Sequence, residues 1–249
     1  NRKVPIVADE YVKPEFGTGC VKITPAHDPN DFEVGKRHKL EFINIMNSDA
    51  SMNELCPKPF CGLDRFAARE LIVKELKKLG LFVETKPCRH SIPFSERSKV
   101  PIEPRLSKQW FVRMQELAKP ALEDAKTDKL NFYPQTTKKT YCHWLENIKD
   151  WCISRQLWWG HRIPIWYCQS CQGVSTGIED PSVCQHCGCS DIEQDKDVLD
   201  TWFSSWLWPI SPFGWPQESV DLKRYFFSDV LVTGSDIIFL WVARMIMLS

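Results

Sequence analysis

The sequence predicts an α/β protein that carries a small cysteine-rich insertion. Residues Cys20–Thr24 alternate like a strand and precede a helical segment, and the apolar run Asp229–Asp236 leads into a second helix. Between them, two Cys-x-x-Cys pairs begin at Cys168 and Cys184, with the spacing of a metal-binding ribbon. Strands that lead into helices, with one cysteine-rich insertion, are the basis of this prediction.

The composition is typical of a globular protein. The 249 residues suffice for one large domain or two ordinary ones, and 43% of them are hydrophobic and 26% charged. Lys plus Arg equals Asp plus Glu at 32 each, so the sequence has no overall basic character that would indicate a nucleic-acid partner. Any such contact has to come from local patches.

Cysteine usage and the chain ends give further expectations. Eleven cysteines, an odd number, without a secretory leader indicate reduced thiols and a cytoplasmic protein. The apolar run Ile237–Trp241 is interrupted soon after by Arg244 and is too short to span a bilayer, so we expect a buried helix and no membrane contact. Because the chain begins at Asn1 and stops at Ser249 within a helical pattern, we expect a fragment of a longer polypeptide.

The first polar cluster begins on the predicted strand Cys20–Thr24. Val21 and Ile23 face one side, and Lys22 and Thr24 face the other, because side chains alternate along a strand. The polar side brings an ammonium and a hydroxyl group toward the turn that follows.

That turn contains His27, Asp28 and Asp31 and leads into a predicted helix at Phe32–His38, for which Asn30 or Asp31 is the candidate cap. The two carboxylates converge with the polar side of the strand on one small volume. A surface strand with a capped helix behind it is the alternative.

The next part is interpreted as scaffold. We expect a strand at Glu41–Met46, an amphipathic helix at Asp64–Leu79 that ends at Gly80, and a connection from Lys86 to Pro104. The apolar face of that helix holds Phe66, Ile72, Leu76 and Leu79.

Two more helices are predicted, at Trp110–Ala125 and from Thr137 to Lys149. The second should present Tyr141, Trp144, Leu145 and Ile148 to the core. Cys56 and Cys61 lack a second pair nearby and are interpreted as ordinary thiols.

The segment from Trp151 to Pro164 combines three tryptophans with cationic and amide side chains. Trp158 and Trp159 are neighbours, so in an extended segment only one of them can line a given pocket. The segment is either a binding surface or a buried aromatic cluster under a loop.

Four cysteines form the strongest motif of the chain. They are Cys168, Cys171, Cys184 and Cys187. Two such pairs bring four thiolates around one tetrahedral Zn²⁺, which leaves no open position for a reactive water and indicates a structural metal. His186 and Cys189 are competing ligands, and an iron–sulfur site or a redox dithiol pair is the alternative.

Two segments downstream combine an apolar run with polar residues. The first places Trp202 beside small hydroxyl residues, and the second ends at Gly234, Ser235 and Asp236, where a ligand could approach the backbone. A helix capped by Ser235 or Asp236 is the alternative for the second.

Four stretches together resemble the class I valyl-tRNA synthetases over nearly the whole chain. They are GTGCVKITPAHDPNDFEVG at residues 17–35, WCISRQLWWGHRIP at 151–164, DVLDTWFSS at 197–205 and TGSDIIFLWVARM at 233–245. The LWWGHRIP and DTWFSS forms favour valine over isoleucine and leucine as the amino acid.

The resemblance implies part of a mixed α+β, β-barrel-like editing domain at residues 1–105, which precedes the second half of a Rossmann-type catalytic domain. The catalytic domain would resume at 106–164, carry the zinc ribbon at 165–193 and continue, truncated, at 194–249.

The resemblance also implies site residues. Those that match the editing pocket are Lys22, Thr24, Asp28 and Asp31. Asp31 matches the aspartate that anchors the α-ammonium group of the mischarged amino acid. Trp159 and Trp202 match the walls of the amino-acid pocket, and Gly234 and Asp236 match the turn that receives the adenylate ribose.

The implied enzyme activates valine with ATP and Mg²⁺, transfers it to tRNA(Val) and hydrolyses mischarged threonyl-tRNA(Val), as a cytoplasmic monomer with a structural zinc ion. The HIGH and KMSKS nucleotide-binding signatures are absent from these residues, so the chain alone is not expected to aminoacylate. The alternatives are an isoleucyl- or leucyl-type relative, a stand-alone deacylase of mischarged tRNA, or a zinc-ribbon nucleic-acid binding module.

Overall fold

The structure is a computed structural model that describes residues 2–248 and divides into two compact units. The first unit ends at Lys108, and the second begins at Gln109. The predicted connection from Lys86 to Pro104 lies just before this division and is irregular apart from one bridge between Phe94 and Pro101.

Helix α1 (Pro29–Arg37) opens the regular structure of the first unit. It begins earlier than the predicted Phe32–His38, and its cap is Asp28, so the prediction of Asn30 or Asp31 as the cap was wrong. Pro29 explains the earlier start, because proline has the helical φ and needs no backbone donor in the first turn.

Helix α2 (Arg65–Lys78) confirms the prediction of a helix between Asp64 and Leu79. Asp64 caps its N-terminus, and Gly80 follows its end with a φ of 69°. Its apolar face is not covered, however: Phe66 is 42% exposed and Leu79 is 68% exposed. The pattern therefore predicted the helix correctly but not its burial.

The strands predicted for the first unit are not formed. Between residues 2 and 108, the structure has isolated bridges, such as Met46 with Met52, and no paired strand. The predictions of strands at Cys20–Thr24 and Glu41–Met46, and of a barrel-like sheet, were therefore wrong. A strand is held by hydrogen bonds to a neighbour, and an alternating pattern does not supply one.

Short antiparallel pairs make up the sheets of the second unit. Strand β1 (Phe111–Val112) pairs with β2 (Trp151–Cys152), and β3 (Ser154–Arg155) pairs with β7 (Val198–Leu199). A three-stranded sheet has the order β5 (Val174–Thr176), β4 (Ile165–Cys168), β6 (Ile192–Gln194). The parallel sheet expected of a Rossmann-type domain does not occur among residues 109–248.

Helices supply most of the core of the second unit. The unit contains α3 (Met114–Lys126), α4 (Thr136–Glu146), α5 (Thr201–Ser205), α6 (Val220–Tyr225) and α7 (Ala243–Leu248), and the buried helical residues of its core lie in α3, α4 and α7. The prediction of α4 is confirmed, with Tyr141 and Leu145 buried. Helix α3 begins four residues later than predicted, at Met114 instead of Trp110, because Phe111 and Val112 pair in β1.

The segment before α7 differs from the expected strand-to-helix junction. Val230 and Val232 are 79% and 88% exposed and belong to no strand. A short 3₁₀ helix at Ser235–Ile237 and a short π-helix at Ile238–Val242 lead into α7. Gly234 occupies the cap position without a side-chain cap, so neither Ser235 nor Asp236 caps this element.

Across residues 2–248, no helix is long and apolar enough to cross a membrane.

Candidate functional site

The four cysteines of the predicted metal site lie together. Their sulfur atoms are all within 4.8 Å of one another. Cys168 Sγ lies 3.6 Å from Cys187 Sγ, and Cys171 Sγ lies 3.6 Å from Cys184 Sγ. Cys168 ends the central strand β4, so the sheet positions one pair while the loop after β5 supplies the other.

Backbone donors favour thiolates in this cluster. The N–H groups of Gly173 and His186 each point to a cysteine sulfur at 3.4 Å. The N–H of His186 lowers the pKa of Cys184 to about 6, whereas hydrogen bonds with Cys171 and Cys168 raise the pKa of Cys187. Four adjacent thiolates repel one another without a cation, and a tetrahedral metal ion relieves that repulsion. The donor set therefore fits a Zn²⁺ ion with a filled coordination shell.

The competing ligands lie outside this cluster. His186 Nε2 is 2.9 Å from the carbonyl oxygen of Val174, so its ring is used in a hydrogen bond. Cys189 Sγ contacts Ser170 Oγ at 3.2 Å and accepts from the N–H of Asp191 at 3.3 Å. Cys189 is therefore close to the four clustered cysteines in sequence but is not a member of their cluster.

A second polar cluster joins Lys22, Thr24 and Asp31 in the first unit. Lys22 Nζ donates to Thr24 Oγ1 at 3.1 Å, and Thr24 Oγ1 donates to Asp31 Oδ2 at 3.1 Å. The backbone N–H of Thr24 also donates to Asp31 Oδ2, at 2.7 Å. Asp31 is only 6% exposed, and the contacts described for it use Oδ2, not Oδ1.

Asp28 has a different position in this cluster. Its Oδ1 accepts the N–H groups of Asn30 at 2.8 Å and Asp31 at 3.0 Å, so it fixes the first turn of α1. His27 joins the same turn to two other segments: its Nε2 accepts from the N–H of Ile45, and its Nδ1 therefore donates to Pro104 O. Asp31 is thus held at two places: Thr24 donates to its carboxylate, and Asp28 accepts from its backbone N–H.

The two predicted pocket tryptophans differ in their surroundings. Trp159 is 88% exposed, whereas Trp202 is half-buried in α5 and packs against the core of the second unit. Gly234 and Asp236 are close in space, because a Cβ atom on Gly234 would lie 2.6 Å from Asp236 Oδ1. The structure therefore brings the four cysteines together in one cluster and Lys22, Thr24 and Asp31 together in another, and Gly234 lies beside Asp236.

Two carboxylates that were not predicted as functional residues connect distant segments of the second unit. Asp195 Oδ2 accepts from Trp110 Nε1 at 2.9 Å and from Tyr167 Oη at 2.8 Å. Asp200 Oδ2 accepts from Trp151 Nε1 at 2.8 Å and pairs with Arg155 at 3.0 Å. The partners are 28 to 85 residues distant in sequence, so local spacing gave no signal.

Known proteins resemble the chain over its whole length. It is 55% identical to the valine–tRNA ligase of Treponema denticola, and the match covers 100% of this chain and 27% of the relative. It is 57% identical to the valine–tRNA ligase of Carboxydothermus hydrogenoformans, with 28% of the relative covered. For the enzyme of Thermotoga maritima, the identity is 53%, with 29% covered. The chain thus spans less than a third of the length of these relatives.

A match to a protein family covers most of the chain. Residues 28–249 match the family described as tRNA synthetases class I (I, L, M and V). The chain therefore belongs to the class I tRNA synthetases of the isoleucine, leucine, methionine and valine group.

Proposed function

We propose that this chain is part of a valine–tRNA ligase that also hydrolyses mischarged threonyl-tRNA(Val). The observation that carries the proposal is the identity of 52–57% to valine–tRNA ligases over essentially the whole chain. The complete enzyme would use valine, ATP with Mg²⁺ and tRNA(Val), and act as a cytoplasmic monomer. The isoleucyl- and leucyl-type alternatives are not favoured by these relatives.

The domain assignment follows from the same proposal. Residues 1–105 form part of the editing domain, and 106–164 and 194–249 belong to the catalytic domain. Residues 165–193 form the zinc ribbon, in which the four clustered cysteines hold a structural ion and keep the short sheet β4–β6 folded.

The synthetic site would use the second unit. Trp159 and Trp202 would form the walls around the valine side chain, and Gly234 and Asp236 would receive the ribose of the adenylate. An apolar pocket discriminates poorly between valine and threonine, since the two are near isosteres, and valyl enzymes are the standard example of this limit. A second site that recognises a hydroxyl group is therefore needed.

The editing site would use the polar cluster of the first unit. Asp31, buried and held by Thr24, presents a carboxylate to the α-ammonium group of the threonyl ester. Lys22 supplies a donor near the ester, Thr24 holds the carboxylate of Asp31, and Asp28 acts by fixing the turn that carries Asp31. A bound water attacks the ester carbonyl, the bond to the ribose oxygen breaks, and threonine and free tRNA are released.

Hydrolysis of preformed aminoacyl-tRNAs tests this function. The full-length protein is expected to hydrolyse threonyl-tRNA(Val) faster than valyl-tRNA(Val) by roughly 100-fold or more, because valine leaves the polar groups of the site unpaired. Release of labelled amino acid over time gives both rates. Equal rates for the two esters would refute the editing assignment.

A further inference from the structure

Arg244 is a buried cation in the second unit to which the proposed chemistry gives no role. The residue is 7% exposed, and its Nη1 donates to the carbonyl oxygen of Leu240 at 2.8 Å. Its Nε is buried and has no hydrogen-bond partner in the part of the chain that the structure describes. Burial lowers the pKa of this guanidinium group. An apolar side chain of similar size would avoid that penalty, so the charge at this position needs an explanation.

The guanidinium group lies over the indole ring of Trp151. Its Cζ atom is 3.7 Å from the ring centroid, which is close for a cation over an aromatic ring. Phe203 of α5 and Trp206 at its C-terminal end pack around the same ring: the ring centroid of Phe203 is 5.8 Å away, and that of Trp206 is 5.7 Å away. Trp151 is thus held between the cation and the segment that begins with α5.

Asp200 connects Trp151 to the start of α5. It occupies the N-cap position of that helix but makes no side-chain cap bond in the described structure. Its Oδ2 instead accepts from Trp151 Nε1 at 2.8 Å and from Arg155 Nη2 at 3.0 Å. Its own N–H donates to Ile153 O at 2.7 Å. The first turn of α5 is therefore fixed to the segment Trp151–Arg155 instead of being capped locally.

Trp202 lies two residues after Asp200 in this first turn. We infer that Arg244 is a positioning residue for the amino-acid pocket, acting through Trp151 and Asp200 on the turn that carries Trp202. The inference rests on the proposed function, in which Trp202 is a wall of that pocket. The cation holds the indole ring, the indole N–H holds Asp200, and Asp200 sets where the Trp202 ring lies.

Valine-dependent ATP–pyrophosphate exchange by the full-length protein tests this inference. Arg244→Met is expected to raise the KM for valine roughly tenfold and to leave kcat and the KM for ATP within about twofold, since a displaced pocket wall weakens amino-acid binding. Arg244→Lys should recover most of the affinity, because it keeps a cation over the ring. Arg224→Met, at an exposed arginine, is the matched control and should behave like the wild type.

A merely structural role predicts a different result. In that case, kcat for exchange and hydrolysis of threonyl-tRNA would fall together with the fraction of folded protein, and the Lys variant would show no selective recovery. If Arg244→Met does not fold, Trp151→Phe decides, because it keeps an aromatic ring under the cation but replaces the indole by a smaller ring without the N–H that Asp200 accepts. The same rise in KM supports the inference, and an unchanged KM overturns it.

Valine exchange by the wild-type protein distinguishes a failure of the Arg244 inference from a failure of the proposed function. Exchange with valine by the wild type and an unchanged KM in the variants would overturn the role of Arg244 alone. Absence of valine exchange in the wild type would overturn the proposed function, and the role of Arg244 with it.

Discussion

Replacement of Asp31 by alanine is expected to slow hydrolysis of threonyl-tRNA(Val) roughly 100-fold, because it removes a charged partner for the substrate ammonium group in a buried site. Asp31 is 6% exposed, and its Oδ2 accepts both the N–H and the hydroxyl group of Thr24. Valine activation should be unchanged, since the proposed synthetic residues lie in the second unit. Release of threonine from preformed threonyl-tRNA, with exchange measured in parallel, checks both expectations.

Two further variants make the Asp31 test specific. Glu70→Gln removes a carboxylate from the exposed surface of α2 and should leave hydrolysis at the wild-type rate. Thr24→Val removes the hydroxyl group between Lys22 and Asp31 and should cause a smaller loss than Asp31→Ala. Wild-type hydrolysis by Asp31→Ala would show that the ammonium group is bound elsewhere.

Removal of the metal from the cysteine cluster is expected to unfold the ribbon around β4–β6. Structural zinc binding contributes about 10 kcal/mol or more to the folding of small zinc domains at neutral pH, and the short strands here supply little core of their own. Only Cys168 and Cys184 of the four ligands are buried. Hydrogen exchange of residues 165–194 with and without a chelator should show loss of protection confined to this segment.

The fifth cysteine of the ribbon provides a matched control. Cys184→Ser should reduce the zinc content well below one ion per chain, because it removes a ligand from the cluster, whereas Cys189→Ser should keep one ion. Metal analysis of the two purified variants gives the comparison directly. Equal zinc content in both, or iron with sulfide in the wild type, would contradict the assignment of a four-cysteine zinc site.

Local signals in the sequence predicted several parts of this structure. Helix α2 has its cap, its apolar spacing and its terminal glycine in one continuous stretch from Asp64 to Gly80, and α4 has a clear apolar face. The cysteine cluster was predictable because its ligands follow a short, regular spacing. Each of these features depends on residues that are near in sequence.

The parts that failed depend on partners distant in sequence. An alternating pattern at Cys20–Thr24 indicates an extended segment, but only a neighbouring strand makes it part of a sheet. Asp200 has the position and chemistry of a helix cap, yet its carboxylate contacts Trp151, which is 49 residues away. A single sequence cannot show that a tertiary contact outcompetes a local one, so the network of Arg244 was visible only in three dimensions.

Amino-acid-dependent ATP–pyrophosphate exchange by the wild-type, full-length protein tests the central claim most directly. Valine, threonine, isoleucine and leucine are compared at equal concentrations, with exchange of labelled pyrophosphate into ATP as the readout. We expect the highest kcat/KM for valine and a lower but measurable value for threonine, which is the reason for a separate editing site. Exchange that is strongest with isoleucine or leucine, or absent with all four, would contradict the assignment.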